Sequence, residues 1–393
     1  MGLTRDAYAI VGLGVTKQGR VPGVSDIDMK TEGLRLAIED AGLKPSDIDG
    51  YIYQPGMIDM GSFGNGGEAP KNLGMNPKFI WQIQSGGASA IAAIMAACAA
   101  IDSGMANYVA IGYGDTALSG SVLVGEAGQL GAAQRDTPGA YGMYSPGADH
   151  ALAAQRHMHL FGTTKEQLGA IAVTQREYAQ MRPDAYMNGR PMTIEDYLNA
   201  RPIASPLGKY DYCLVADGGC ALIITSADRA KDHPKPPVYI SGHGFSHSVG
   251  AGYTRTQYQE LGVQRAKQQA FGMAGISLED IDVAQIYDCF TITVLLTLED
   301  YGFCKKGEGG PFVAEGNTRL DGRIPTNTAG GELSWSYMQG FTPLVEGVRQ
   351  MRNESGATQV QDAEIALVTG HGGTTKGIGQ MEYAEACLVL RKG

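Results

Sequence analysis

Long apolar runs are missing from this 393-residue chain. No stretch of about 18 consecutive apolar residues occurs, so no transmembrane helix is expected. The opening residues, Met-Gly-Leu-Thr-Arg-Asp, carry no apolar signal core, and a cytoplasmic location is the expectation. Positive charge is scarce as well. Thirty-one Lys and Arg stand against 41 Asp and Glu, a net charge of −10, which gives nucleic acid or an anionic membrane nothing to bind. Charged residues of both signs make up only 18% of the chain, a share that suits a large, well-buried protein. Paired cysteines are also absent. Cys98, Cys213, Cys220, Cys289, Cys304 and Cys387 are scattered without a C-x-x-C, so they read as free thiols in a reducing compartment rather than as disulfides or a zinc site. No metal set is evident among the histidines either.

Glycine is plentiful, at 56 residues, as expected of an α/β protein with many tight turns. Ala7–Val15 reads as a buried strand, Asp28–Asp40 as a helix with an apolar face, and Ile48–Tyr53 and Phe79–Ile83 as strands. A helix of small residues follows from about Ala88 to Ser103, then a strand from Tyr108 to Ile111. The order recurs later. Ala41–Asp49 (AGLKPSDID) is echoed by Ala274–Asp282 (AGISLEDID), Tyr108–Gly114 by Ile365–Gly372, and Cys220–Thr225 by Ala386–Leu390. Such matches imply a duplicated α/β unit. One half spans residues 1–117 and is completed by the strand at 220–225; the other spans 235–393. Between them, residues 118–219 form an insert with helices at Pro146–Phe161 and Lys165–Gln180 and a loop at about 188–206.

The densest segment is Ile324–Gly340, IPTNTAGGELSWSYMQG. An extended lead-in ends at Asn327, the pair Gly330-Gly331 permits a sharp turn, and a helix follows from Thr342. This Asn-x-x-Gly-Gly frame resembles the C-terminal catalytic loop of thiolases, with Ser336-Tyr337-Met338 where that family carries Gly-His-Pro. With the duplication and the insert, the resemblance extends over essentially the whole chain. It is closest to the sterol-carrier-protein-type branch, through His157-Met158, Asp211–Gly219 (DYCLVADGG) and Tyr287-Asp-Cys-Phe290. It implies a thiolase fold: duplicated βαβαβ halves in a five-layered αβαβα arrangement with an insert region, and the active site between the halves.

The resemblance also shows what has changed. Ser85 stands where the family's nucleophilic cysteine would be. It reads either as a helix cap, with Gly86-Gly87, or as a nucleophilic serine. Gly370 replaces the second cysteine, and its neighbour His371 could titrate near neutrality. Tyr337 replaces the catalytic histidine, and Tyr287 occupies the family's oxygen-binding position. Asn327 and the backbone at Gly331 and Gly372 belong to the same oxyanion-binding loops. Asp288, beside Tyr287, reads as a partner for a backbone or arginine group. His243 and His247 read as a Gly/Ser-rich surface loop. His150, His157 and His159 lie on the insert helix at mixed faces. Met57, Met60, Met143 and Met338 could line an apolar pocket or fill core gaps, and Lys305, Lys306 and Lys376 could meet CoA phosphates.

Two phenols without a cysteine suit a retro-aldol reaction, in which groups exchange protons with a β-hydroxyacyl-CoA and no acyl-enzyme forms. The pattern resembles thiolase-like aldolases that cut steroid side chains as CoA thioesters. This implies an acyl-CoA carbon–carbon lyase with no cofactor of its own, coenzyme A entering as the substrate's thioester. It also implies a homodimer and a small zinc-ribbon/OB-fold partner protein. Two other readings stay open: an atypical thiolase or acyltransferase acting on a bulky or aromatic β-ketoacyl-CoA, and a non-catalytic acyl-CoA- or lipid-binding scaffold.

Overall fold

The computed structural model describes residues 4–56, 65–120, 146–248, 262–375 and 381–393. Met57, Met60, Met143, Lys376 and residues 121–145 of the insert lie outside the described residues. The main sheet has nine strands: β1 (Tyr8–Val15), β2 (Gly50–Gln54), β3 (Phe79–Gln82), β4 (Tyr108–Thr116), β5 (Asp217–Ser226), β6 (Val238–Ser248), β7 (Val283–Gln285), β8 (Ile365–Thr375) and β9 (Met381–Lys392). Their order is β3-β2-β4-β5-β1-β6-β9-β8-β7.

That order contains the duplication. From one edge inward, β2 lies parallel to β4, β4 antiparallel to β5, and β5 antiparallel to β1. From the other edge, β7 lies parallel to β8, β8 antiparallel to β9, and β9 antiparallel to β6. A bridge from Ala284 to Thr326 stands where β3 stands in the first half. The halves join through three residue pairs, Tyr8–Ile10 against Val238–Ile240.

Among the described residues, seven helices of eleven or more residues flank these strands: α1 (Asp26–Asp40), α2 (Ser89–Asp102), α3 (Pro146–Phe161), α4 (Lys165–Gln180), α5 (Gln264–Ala274), α6 (Thr291–Tyr301) and α7 (Phe341–Met351). Ser25 starts α1 through a capping box with Asp28, and Thr164 starts α4 in the same way with Gln167. α2 has the sequence SAIAAIMAACAAID and is apolar nearly all round, as a helix covered on two sides must be. It touches β2, β4 and β5 of one half and β8, β9 and β6 of the other; α7 packs beside it. α1 covers the outer face of the first half, and α5 and α6 lie beyond the second. Three hydrophobic clusters fill the four interfaces of the resulting five layers, the central one spanning both faces of the inner helices.

The two central helices begin from the same turn, used twice. Ser85 bridges Gly87, and Met338 bridges Gly340. The residue between has positive φ in both, +57° at Gly86 and +46° at Gln339. The turns meet back to back. A Cβ on Gly340 would collide with the Gly87 carbonyl oxygen, and one on Gly372 with the Ser85 carbonyl oxygen. Gln54, at the end of β2, donates to both the Gln339 side chain and the Gly86 carbonyl, tying the turns together.

Three sequence expectations are corrected. Residues 188–206 are not simply loop: they hold a capped helical turn, Ile194–Leu198, and half of a short hairpin, Pro202–Ala204 against Leu207–Gly208. His243 and His247 belong to β6, which runs on to Ser248 paired with β9; His243 is buried and only His247 is exposed. Ser85 does not cap α2, whose N-cap is Ala88 with no side-chain bond. Ser89 does the tying instead, accepting from Ser85 N at 2.6 Å and donating to Gly86 O at 2.7 Å.

Glycine substitution separates this centre from the periphery. Gly340→Ala meets only backbone and is expected to lower stability by about 3 kcal/mol or to abolish soluble folded protein. Gly272, exposed on α5 with open space around it, should become more stable as Ala by up to about 1 kcal/mol. Thermal melts of the two variants check the contrast.

Candidate active site

Tyr287 follows β7, and Tyr337 precedes the turn that starts α7. The Tyr287 ring rests on Gly87: a Cβ there would strike both the ring and the His371 carbonyl. Tyr287 N donates to Thr369 Oγ1 at 3.2 Å, and Ile286 N donates to Asn327 Oδ1 at 2.7 Å, so the segment is held from two sides. The two phenols act on one another, Tyr287 favouring the charged form of Tyr337. Tyr287 is buried and Tyr337 partly exposed. Burial, followed by the charge of nearby Glu332, pushes the Tyr287 phenol well above its ordinary range. Burial, with Cys213 and Glu332 beside it, does the same to Tyr337. Both groups are therefore neutral hydroxyls at rest.

Glu332 is the residue that the sequence did not single out. It is 0% exposed, and neither carboxylate oxygen meets a well-formed hydrogen bond. Burial, reinforced by Asp288, pushes its carboxyl well above the usual range. A buried carboxyl without partners costs stability and is held only where the surrounding fold imposes it. Asp288 is the ordered counterpart. Its oxygens accept from Glu332 N at 2.9 Å and Leu333 N at 3.0 Å, the backbone role expected of it. Burial nevertheless pushes its carboxyl up to about 7. Gly331, at φ +60°, allows this approach, since a Cβ would overlap the Asp288 carboxylate. Asn327 adopts φ +53°, and its own N–H donates to Ala284 O at 3.0 Å.

Ser85 is half-buried, and among the described residues no histidine or carboxylate is hydrogen-bonded to its hydroxyl. His371 lies on β8 in the buried interior. Its Nδ1 meets Glu385 Oε1 at 2.6 Å, and its Nε2 faces His150 Nε2 at 3.3 Å. Cys289 Sγ lies 4.0 Å from the same His150 nitrogen. The absence of a metal set expected from sequence thus gives way to a group of three donors brought together by the fold. A spacing signal existed: His150 and His157 are seven residues apart and share the buried face of α3, while His159 is exposed. His157 is structural, held by Thr163 and Glu299. Lys306 is paired with Glu299 and Asp300, and Met338 fills the core between the halves. Burial also raises the thiols of Cys289 and Cys213 well above their ordinary range, which weakens both as nucleophiles.

Comparison with known proteins identifies the family to which this fold belongs. Residues 242–381 match the family model described as thiolase C-terminal domain-like. A steroid side-chain-cleaving aldolase of Thermomonospora curvata is 35% identical over 393 residues, covering 96% of this chain and 98% of the relative. The 17-hydroxy-3-oxo-4-pregnene-20-carboxyl-CoA lyase of Mycobacterium tuberculosis is 34% identical, covering 94% of this chain and 98% of that one. Among solved structures, the Ltp2-ChsH2(DUF35) aldolase superposes with a TM-score of 0.85 at 32% identity, covering 99% of this chain and 98% of that one.

The orphaned carboxyl sets a pH-dependent expectation. Its folded pKa lies above its unfolded value, so the folded state binds the extra proton and stability falls as pH rises between the two. Glu332→Gln removes that penalty. Thermal midpoints should match wild type near pH 4.5 and exceed it increasingly toward pH 8, by at most about 1.4 kcal/mol per pH unit. A midpoint difference that does not change with pH contradicts the assignment.

Proposed function

The chain belongs to the thiolase superfamily, in the branch that includes the steroid side-chain-cleaving aldolases, and from that premise we propose that it cleaves the Cα–Cβ bond of a β-hydroxyacyl-CoA by retro-aldol chemistry. The observation that carries the reading is the meeting of two phenols, Tyr287 and Tyr337, with the unpartnered carboxyl of Glu332 near enough to act on both. From its ionised form, which burial makes a strong base, Glu332 takes the Tyr337 proton as Tyr337 takes the β-hydroxyl proton, and the same relay later returns a proton to Cα. Tyr287 supports this by donating to the Tyr337 oxygen. The Cα–Cβ electron pair moves to Cα, Cβ leaves as a ketone or aldehyde, and the enolate of the shortened acyl-CoA regains a proton at Cα. Atoms and charge balance without free CoA and without an acyl-enzyme. Neutral phenols suit this relay, since each can accept a proton only while passing one on. Ser85 and His371 take no part: the first lacks a base, and the second faces His150.

The names of the relatives favour a steroid side chain as the acyl group and coenzyme A as its carrier. The superposed aldolase is a complex with a DUF35 protein, which favours a partner of that type, here taken as the small zinc-ribbon/OB-fold protein. A homodimer is also part of the proposal. Edge strand β3 exposes Ile80 and Trp81, a surface that a second copy could cover. The thiolase alternative has one observation in its favour, Cys289 within 4.0 Å of His150, set against a thiol that burial keeps protonated.

A panel of steroid, aromatic and branched β-hydroxyacyl-CoAs tests the reading on the chain co-purified with its partners. Carbonyl product should form without added CoA, and Tyr337→Phe should lower kcat/KM by about 10²-fold or more. Turnover restricted to β-ketoacyl-CoAs and dependent on free CoA would establish the thiolase instead. Acyl-CoA binding without turnover, unchanged by Tyr→Phe at 287 and 337, would establish a scaffold.

A further inference from the structure

The group formed by His150, Cys289 and His371 has its own internal logic. His150 Nδ1 lies 2.8 Å from the Pro146 carbonyl oxygen, which can only accept, so that nitrogen carries the ring proton. His371 Nδ1 lies 2.6 Å from the Glu385 carboxylate and is likewise the donor. These bonds leave Nε2 of each neutral ring as a lone pair, and the two face each other at 3.3 Å. One proton between them makes this an ordinary hydrogen bond, and a metal ion would take that proton's place. A shared proton would satisfy the nitrogens alone. The third donor, Cys289 Sγ, lies 4.0 Å from His150, and all three donor atoms fall within 4.8 Å of one another.

The geometry points to a binding site for one borderline-soft divalent metal ion of the zinc class, held by His150 Nε2, His371 Nε2 and Cys289 Sγ. Tetrahedral bonds of 2.0–2.1 Å to nitrogen separate two ligating nitrogens by about 3.3–3.4 Å, which matches the observed spacing. A 2.3 Å bond to sulfur calls for about 3.5 Å from sulfur to nitrogen, so Cys289 closes in by about half an ångström on His150 and by up to about 1.3 Å on His371, leaving its loose contact with Thr293 at 3.5 Å. The supporting bonds follow the pattern of ligating histidines, each of which gives its second N–H to a carboxylate or carbonyl oxygen. Phe290 stacks on the His150 ring at 4.2 Å and fixes its plane. Three protein ligands leave a fourth position open. Binding releases the Cys289 thiol proton to solvent, giving a metal thiolate. The donors come from the insert helix, the Tyr-Asp-Cys-Phe segment and β8, so an ion would clamp the insert onto the C-terminal half. The proposal stands independently of the reaction assigned above.

Full-length chain stripped with chelator and titrated with Co²⁺ tests it, with zinc as competitor. One equivalent should bind with a thiolate-to-cobalt charge-transfer band in the near ultraviolet, reversed by zinc. Cys289→Ser should abolish the band and His150→Ala should weaken binding at least tenfold, with circular dichroism confirming the fold of each. Should either variant fail to fold, Glu385→Gln, which weakens the bond to His371 Nδ1, should weaken binding 10–100-fold. Failure to bind one equivalent, or a band that survives Cys289→Ser, would overturn the site and leave a shared proton between the histidines.

Discussion

Backbone meets backbone at the centre of this fold, and everything else is arranged around that contact. The turn at Ser85–Gly87 and the turn at Met338–Gly340 touch with no room for a Cβ between them, and Gly372 presses on the first from β8. Each turn launches one of the two buried helices. The duplicated halves can approach this closely only where side chains are absent. The close approach also seats the Tyr287 ring on Gly87 and brings Tyr337 beside it. The duplication therefore does more than enlarge the sheet: it makes two copies of one turn face each other and encloses the phenols where they meet.

Stability and chemistry oppose each other at that junction. Glu332 is buried without partners, Asp288 is held near neutrality, and both phenols are pushed up by burial. The two carboxyls cost folding free energy at neutral pH, Asp288 at about 7 holds a proton that can be moved at ordinary pH, and the phenols remain neutral donors. The surrounding structure supplies the compensation. Asp288 accepts two backbone N–H bonds, Asn327 locks the end of β7, and the insert reinforces the loop through Tyr186 N to Trp335 O and Met187 N to Ser334 O.

Much of this was legible in the sequence. The echoed segments 41–49 and 274–282 announced the duplication because each ends a helix and enters an equivalent strand. The Asn-Thr-Ala-Gly-Gly frame announced the loop because positive φ at Gly330 and Gly331 leaves few other residues possible there. Tyr287 and Tyr337 were visible by their frames. What escaped notice depends on three-dimensional meetings: spacing puts His150 on the buried face of α3 but says nothing of what it meets there. His150, Cys289 and His371 are separated by 139 and 82 residues and converge only when the insert helix docks. Glu332 looks like an ordinary polar residue after a glycine pair until the fold closes over it. His243 sits in a Gly/Ser-rich stretch that reads as loop, yet its glycines pack against α5, where a Cβ at Gly242 or Gly244 would strike helix carbonyls.

The central claim is that a phenol pair, without an acyl-enzyme, cuts a carbon–carbon bond. Its most direct test is cleavage of a β-hydroxyacyl-CoA in deuterated water, with intact-protein mass spectrometry during turnover. Retro-aldol cleavage predicts one solvent deuterium at Cα of the shortened acyl-CoA, no consumption of free CoA, and a chain that never gains acyl mass. An acyl adduct on Cys289 or Ser85, with cleavage that requires free CoA, would contradict it.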